Sequence, residues 1–264
     1  MSAVRYEVLG STATLTLDNP EKRNSINDEL LDGLIAGLSA AEADSGVRSI
    51  VLTHNGGTFC AGADLSSAGK GDEELSPMER QRTLGLKAAA LNRTMLTSSK
   101  PIIAAIHGHV RAGGMGFVAC SDFVVAGPSA TFGLSEVRIG VVAAMIGPIV
   151  LSRLGDRVAA DWFLRGSAVS AQVAAAAGFV TRAVDGDIVT VEAAVEEILD
   201  DLRKASPKAL AASKSLVNRG VISRIDREID EMLELSASFF VSEEATVGMQ
   251  AFLQKKAPAW VVDE

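Results

Sequence analysis

The sequence contains the stretch Ala105-Ile-His-Gly-His-Val-Arg-Ala-Gly-Gly-Met-Gly-Phe-Val-Ala-Cys-Ser-Asp122, which indicates a strand, a glycine turn and the start of a buried helix. The apolar run at residues 102–106 is short, partly β-branched and bounded by proline and glycine, so it predicts a buried strand that feeds into the turn. Gly113-Gly114 forms the turn, and residues 115–120 have a buried helix's composition. Because the first N–H groups of a helix are unpaired and glycine allows close approach, we predict an oxyanion site here.

The residues before this stretch alternate between strand and helix signals. Val4–Leu9 and Ala13–Leu17 predict a hairpin, and residues 49–53 predict a short buried strand. Asn27 is expected to cap a helix, and the pattern Ser76-Pro-Met-Glu79 is a capping box for a second helix that runs to about Met95. Between these elements, residues 66–75 are polar and glycine-rich, which predicts a mobile surface loop.

The residues after it become helical. Phe123–Ala126 predicts one more strand, and residues 131–140 predict a loop with a single helical turn; beyond residue 147 strand signals nearly vanish. We expect helices near residues 149–154, 158–164, 171–177, 190–202 (capped by Thr190), 207–219, 225–240 and 243–256. This order predicts an α/β core over residues 1–200 and a C-terminal helical region over residues 201–264. Two apolar faces in that region would suit subunit contacts.

Composition narrows the function classes. The 264 residues are 48% hydrophobic and 22% charged, and they carry a formal net charge of −8. Nucleic acids and anionic membranes reward a basic surface, so neither is the expected partner. No apolar run reaches the roughly 18 to 20 residues of a membrane span, and no secretion signal opens the chain. With two cysteines and no disulfide framework, the expected location is the cytoplasm.

Three segments could carry chemistry together. Cys60-Ala-Gly-Ala-Asp64 is a second small-residue turn after a strand, and Glu136 lies among apolar residues. One N–H from each turn could hold a carbonyl oxygen as it gains charge while the carboxylate moves a proton, which is the minimum for chemistry through an enolate. Taken singly, each feature has a plainer reading, since such turns often serve tight packing and a glutamate is often solvated.

Other potential sites are weaker. The histidines (54, 107 and 109) and the two cysteines lack metal-ligand spacing, so we treat all five as structural and expect no metal and no cofactor. Gly114-Met-Gly116-Phe-Val-Ala119 matches the dinucleotide fingerprint, with Glu136 some twenty residues further on. That fingerprint normally opens the first βαβ unit, whereas here a hairpin, two helices and another strand precede it. We therefore reject it.

Four ordered motifs resemble the crotonase superfamily of enoyl-CoA hydratases and isomerases over nearly the whole chain. They are Asn19-Pro-Glu-Lys-Arg-Asn24, Phe59-Cys-Ala-Gly-Ala-Asp-Leu65, Lys100-Pro-Ile-Ile-Ala-Ala-Ile-His-Gly108 and Phe132-Gly-Leu-Ser-Glu-Val-Arg-Ile-Gly140. The resemblance implies a spiral of ββα turns whose C-terminal helices build a homotrimer, often paired into a hexamer. It also implies an acyl-CoA thioester as substrate, so that CoA enters with the substrate.

The resemblance also implies roles for particular residues. The oxyanion donors are expected to be the N–H groups of Ala63 and Gly113, with Gly114 as the alternative if the register is shifted by one. Glu136 is expected to be the general acid/base and Arg23 to face the CoA phosphates. The remaining expected substrate-binding residues are Ala61, Asp64, Leu65, Ser66 and Gly116.

One departure leaves the reaction open. The best-known hydratases have two catalytic glutamates; Glu136 matches the second, whereas the first falls on Gly116, and residues 143–146 lack the Pro-Gly-Ala-Gly-Gly pattern common there. This combination resembles methylglutaconyl-CoA-type hydratases of bacteria, and a single glutamate is also similar to the Δ3,Δ2-enoyl-CoA isomerases. Hydration of a 2-enoyl-CoA is the first expectation. An isomerase and a non-catalytic binder of CoA thioesters are the alternatives.

Overall fold

The computed structural model describes residues 2–65 and 75–262. The predicted surface loop therefore lies, except for Leu75, outside the described residues. The larger sheet contains β1 (Val4–Leu9), β2 (Thr12–Leu17), β3 (Ser49–His54), β5 (Ile102–Ile106), β7 (Phe123–Ala126) and β10 (Arg182–Ala183). Its strand order is β1-β2-β3-β5-β7-β10, and only the β1–β2 hairpin is antiparallel.

A smaller sheet repeats the order of the larger one. It contains β4 (Thr58–Cys60), β6 (His109–Arg111), β8 (Thr131–Gly133) and β9 (Val169–Ser170) in the order β4-β6-β8-β9. The strands β4, β6 and β8 are parallel to one another. Each follows a strand of the larger sheet (β3, β5 and β7, in that order), so every turn of the chain's spiral passes from the larger sheet to the smaller one. The ββα spiral implied by the sequence resemblance is confirmed.

The helices connect and cover these sheets. They are α1 (Asp28–Ala43), α2 (Pro77–Thr97), α3 (Gly114–Cys120), α4 (Gly147–Val150), α5 (Asp156–Arg165), α6 (Ala171–Ala176), α7 (Ile188–Lys204), α8 (Pro207–Phe240) and α9 (Glu243–Leu253). The predicted caps of the first two form, because the Asn27 side chain accepts from Leu30 N at 2.9 Å and both capping-box bonds of Ser76 and Glu79 are present. Within the described residues, no helix combines the length and apolarity that a bilayer crossing requires.

The structure corrects several details of the expected elements. Residues 131–133, expected to lie in a loop, form the strand β8. The strand β6 separates β5 from the glycine turn; it is too short and too polar for its sequence to predict a strand. The residue that caps α7 is Asp187 rather than Thr190. The two helices predicted on either side of Gly220 are one 34-residue helix, α8. Its buried residues 214, 218, 221 and 225 recur at helical spacing across that glycine. Their burial outweighs the roughly 1 kcal/mol that a glycine costs inside a helix.

A buried polar network fastens α8 to the strands. The Lys214 ammonium lies 2.8 Å from an oxygen of Asp122 and donates to the carbonyl oxygen of Lys100 at 2.9 Å. The Asn218 side chain donates to the carbonyl oxygen of Leu96 at 3.2 Å. Asp122 also accepts from the N–H of Ile102 at 2.8 Å, so the network reaches the first residue of β5.

Candidate active site

A cleft of about 950 Å³ opens between α2, the ends of the small-sheet strands and the last two helices. Both turns singled out in the sequence reach it, and so does the segment that carries Glu136. Of the predicted site residues, those lining the cleft are Arg23, Ala61, Ala63, Asp64, Leu65, Gly113 and Glu136. Ser66 lies outside the described residues.

The first turn is held against the second by close backbone packing. Gly62 has φ +86°, and a β-carbon added to it would lie 2.6 Å from the β-carbon of Ala112 and 3.5 Å from the nitrogen of Gly113. Only glycine accommodates both that left-handed backbone and that contact. The turn that carries Ala63 therefore lies directly against the turn that carries Gly113.

A one-residue parallel bridge orients the N–H of Ala63. Ile26 donates to the carbonyl oxygen of Gly62 at 2.8 Å and accepts from the N–H of Asp64 at 3.0 Å. In this pairing the N–H of the residue between them points to the opposite side. Within the described part of the chain, the Ala63 N–H donates to no other group.

The second turn leaves a similar donor. Ala112 takes a left-handed conformation with φ 49° and donates to the carbonyl oxygen of Gly133 at 2.9 Å. The chain then enters α3 through Gly113, whose N–H has no acceptor among the described residues. A β-carbon at Gly113 would lie 2.7 Å from Cδ1 of Ile26, so a side chain would press on the residue that pairs with Ala63. Two unpaired N–H groups thus belong to neighbouring loops on the same cleft.

Glu136 brings the carboxyl group. It begins the 3₁₀ turn Glu136–Ile139, with two residues between it and the end of β8, and is only 9% exposed. Its Oε2 has no hydrogen-bond partner among the described residues. Burial disfavours the charged form and raises the pKa of this carboxyl to about 7. A carboxyl with that pKa exchanges a proton readily near neutral pH.

Gly114 and Gly116 lie behind the cleft wall and are absent from its lining. A β-carbon on Gly114 would lie 2.7 Å from the β-carbon of Cys60, and one on Gly116 would lie 2.6 Å from Cγ2 of Ile146. The short distance at Gly116 shows that another residue occupies the space into which a side chain at this position would project. Ile146 fills that space and lines the cleft.

Basic side chains stand at the rim. Lys22, Arg23 and Lys255 line the cleft and are exposed, while Arg111 is half-buried and donates to the carbonyl oxygen of Thr131 at 2.8 Å. The exposed cations can meet an anionic group while their side chains stay hydrated. Among the described residues, the exposed charged side chains that line the cleft are these three cations, Arg138 and one acidic residue, Glu21, so basic groups predominate.

The family comparison agrees with this geometry. A model of the enoyl-CoA hydratase/isomerase family matches residues 7–262. The chain belongs to the enoyl-CoA hydratase/isomerase family. The expected crotonase-superfamily membership and the expected enzyme class are both confirmed.

Relatives of this family cover nearly the full chain. The 2,3-dehydroadipyl-CoA hydratase of Escherichia coli is 31% identical, and the match covers 92% of each chain. A crystal structure of an enoyl-CoA hydratase from Mycobacterium avium is 41% identical, with a TM-score of 0.89 and coverage of 99% of this chain and 100% of the other. A carnitinyl-CoA hydratase from the same species is 28% identical, with a TM-score of 0.84 and 98% coverage of both.

Some cleft residues were missed by the sequence reasoning. Asn92 of α2, Ile146 and the C-terminal Phe240 and Lys255 line the cleft. Asn92 alone had a signal, because it is four residues beyond Ala88 and interrupts the apolar face of α2. The other three come from segments whose local pattern says nothing about where the chain returns.

The residues treated as structural lie mostly away from Glu136. His54 and His107 stack with ring centroids 3.7 Å apart, and burial lowers the pKa of His54 to about 3. Both cysteines are free and buried. His109 is exposed at the rim, where Nδ1 lies 2.9 Å from the hydroxyl of Thr131. Over the described residues, no group of three or more His, Cys, Asp or Glu side chains could hold a metal ion.

Proposed function

We propose that this protein hydrates a 2-enoyl-CoA, with Glu136 as general acid/base. The observation that carries the proposal is the buried carboxyl group of Glu136, whose Oε2 has no partner and which lines the same cleft as two turns with unpaired N–H groups. This combination suits a reaction in which a thioester oxygen gains charge while a proton moves nearby. No metal or redox cofactor takes part in the proposed reaction.

The two turns act on the thioester carbonyl. The N–H groups of Ala63 and Gly113 donate to its oxygen, and both bonds strengthen as the oxygen becomes an enolate. Preorganised donors of this kind are worth about a hundred- to a thousandfold in rate each. Ala61, Asp64 and Leu65 border the same part of the cleft and are proposed to contact the thioester end of the substrate.

Glu136 moves the proton. Its carboxylate takes a proton from water as the water oxygen bonds to C3, and the double-bond electrons move toward the carbonyl oxygen. The enolate then takes that proton back at C2, which leaves a 3-hydroxyacyl-CoA and restores the carboxylate. A pKa of about 7 suits both the acceptance and the return of the proton.

The rim supplies charge for the CoA moiety. Lys22, Arg23 and Lys255 are exposed around the mouth, where phosphates could pair with them while remaining partly hydrated. We expect KM for an enoyl-CoA to rise with ionic strength. The same acyl group on pantetheine should show a weaker dependence.

A steady-state assay tests the proposal. Short and branched 2-enoyl-CoA substrates are followed by loss of the conjugated thioester absorbance, with Glu136→Gln as the matched variant. The wild type should form 3-hydroxyacyl-CoA and the variant should be at least about a hundredfold slower. Equal rates would contradict the role of Glu136. Binding without turnover by either protein would favour a non-catalytic CoA-thioester binder.

The packing of Ile146 against Gly116 favours a second candidate, an enoyl-CoA isomerase. With an isoleucine there, Glu136 has no neighbouring carboxylate in that space, and an isomerase needs only one base. Glu136 would take a proton from C2 of a 3-enoyl-CoA and return it at C4. Conversion of 3-enoyl-CoA to 2-enoyl-CoA without hydration would decide for this candidate.

The C-terminal helical region is proposed to build a homotrimer or a pair of trimers. Several large apolar side chains near the end of the chain are exposed: Phe252, Leu253, Trp260, Val261 and Val262. Burial between subunits would remove them from water. Sedimentation should give three or six times the chain mass of 27.5 kDa. A single-chain mass would contradict the proposal.

A further inference from the structure

Buried polar atoms without partners point to a second polar group in the cleft. In the described part of the chain there are five such side-chain atoms, in Thr12, His54, Asn92, His107 and Glu136. Only Asn92 and Glu136 also line the cleft. Leaving a buried amide oxygen unbonded costs free energy, so such a group needs an explanation.

Asn92 differs from the other buried asparagines. Asn24 accepts from the N–H of Asn19 at 2.8 Å and donates to two backbone carbonyls. Asn218 accepts from Arg153 at 3.0 Å and donates to the carbonyl oxygen of Leu96 at 3.2 Å. Asn92 is only 4% exposed, and its Oδ1 has no partner among the described residues. The Oδ1 of Asn92 therefore makes no hydrogen bond that would hold the fold together.

Asn92 lies in the wall of the cleft, where its side chain is almost completely buried. It lies on α2 between the buried Leu91 and Met95. A β-carbon on Gly116 would lie 3.5 Å from Asn92 Nδ2, and the same β-carbon would meet Ile146. Asn92 and Ile146 thus occupy the space beside Gly116. Both side chains line the cleft with Glu136.

We propose that Asn92 is a further catalytic residue, which holds the attacking water for Glu136. This inference rests on the proposed hydratase function. Glu136 takes one hydrogen of the water while Asn92 Oδ1 accepts a hydrogen bond from the other, which remains on the product hydroxyl group. The water oxygen keeps a lone pair free to bond to C3.

A neutral amide suits this role beside a single carboxylate. It accepts a hydrogen bond without adding charge, whereas a second carboxylate would disfavour ionisation of Glu136 and raise its pKa further. Asn92 thereby orients the water, and Glu136 alone exchanges the proton. The arrangement also gives the unpartnered Oδ1 of Asn92 a partner whenever water is bound.

Asn92→Leu separates a catalytic role from a structural one. It keeps the approximate volume and removes the hydrogen bond. We expect kcat for hydration to fall about ten- to a thousandfold with a smaller change in KM. The melting temperature should stay the same or rise, because the variant loses an unpartnered buried polar group. Met95→Leu, one turn away and outside the cleft lining, is the control and should keep the wild-type kcat.

Asn92→Asp provides a second readout if the leucine variant is unstable. It keeps an acceptor and adds a negative charge, so activity should persist with the acid limb of its pH profile moved to higher pH. A leucine variant with wild-type kcat, or an unshifted profile for the aspartate variant, would overturn the role of Asn92 alone. A wild type that binds enoyl-CoA without hydrating it would overturn the proposed function and this inference with it.

Discussion

A β-carbon on Gly116 would lie 2.6 Å from Cγ2 of Ile146, so these two residues are matched in size. Ile146 lines the cleft in front of Gly116, the position where the sequence resemblance places a glutamate in other hydratases. Because both are buried, a larger side chain at Gly116 would have to displace Ile146.

The size match between Gly116 and Ile146 predicts that the effect of Gly116→Ala on the free energy of unfolding depends on which residue stands at position 146. Gly116→Ala should destabilise the wild type by about 1–3 kcal/mol through overpacking. In an Ile146→Ala background the same change should be neutral or stabilise by up to about 1 kcal/mol, because alanine favours helix. Urea unfolding of the four proteins measures the coupling. Gly220→Ala is the control, since nothing lies within 4 Å of a β-carbon there, and it should stabilise in both backgrounds. Additive effects of the two cleft changes would contradict the match.

The raised pKa of Glu136 predicts the pH dependence of catalysis. A general base must be ionised, so kcat/KM should fall about tenfold per pH unit below about pH 7 and level off above it. Glu136→Gln should show a low residual rate without this limb. A wild-type limb near pH 4.5 would mean that the carboxyl is solvated in the working enzyme.

The raised pKa of Glu136 also predicts that the folded protein loses stability as the pH rises. Below about pH 4.5 Glu136 is protonated in both the folded and unfolded protein; between there and about pH 7 the unfolded chain alone releases the proton. The contribution of Glu136 to the free energy of unfolding therefore declines by about 3 kcal/mol across this window and stays low above it. Comparison of wild type with Glu136→Gln by urea unfolding at pH 4.5 and pH 8 isolates this contribution. The two proteins would differ equally at both pH values if the shift were absent.

The buried pair of Lys214 and Asp122 predicts a large effect of removing one partner. Lys214→Met should destabilise by about 3–5 kcal/mol, because it leaves the Asp122 carboxylate buried without its cation. Adding Asp122→Asn should restore part of the loss. Lys204→Met is the control, since Lys204 pairs with Asp201 on an exposed surface and should change stability by less than about 1 kcal/mol. Equal losses for the two lysine variants would contradict the prediction.

Local patterns predicted much of the fold because the elements are locally encoded. Residues 4–9 and 123–126 are strands as expected, and Asn27 and Ser76 cap their helices. The local sequence pattern failed to predict elements whose conformation is determined by packing against other parts of the chain. β6 is held by its neighbours in the small sheet despite its polar ends, and α8 continues through Gly220 because its buried face continues.

The same distinction holds for the candidate site: features encoded in a local stretch of sequence could be predicted, and contacts between distant stretches could not. Residues 61–65 and 113 could be placed because small-residue turns and ordered motifs are visible in sequence. The environment of Glu136 could be anticipated from its apolar neighbours, whereas its missing partner could not. Asn92 and Ile146 contact the Gly116 position from other elements of the fold. Contacts between segments that are distant in sequence depend on the tertiary structure and are not visible in local patterns.

The network of α8 has a consequence for the order of events during synthesis. Asp122 and Asn218 are 96 residues apart in the chain, yet their side chains meet at 3.4 Å. At translation rates of about 5–20 residues per second, roughly 5–20 seconds pass between the two. Until then the carboxylate beside β5 has neither its lysine nor its amide partner, and the nascent chain should stay sensitive to protease. A helix from the last quarter of the chain, α8, would thus complete an interior that strands made much earlier had begun.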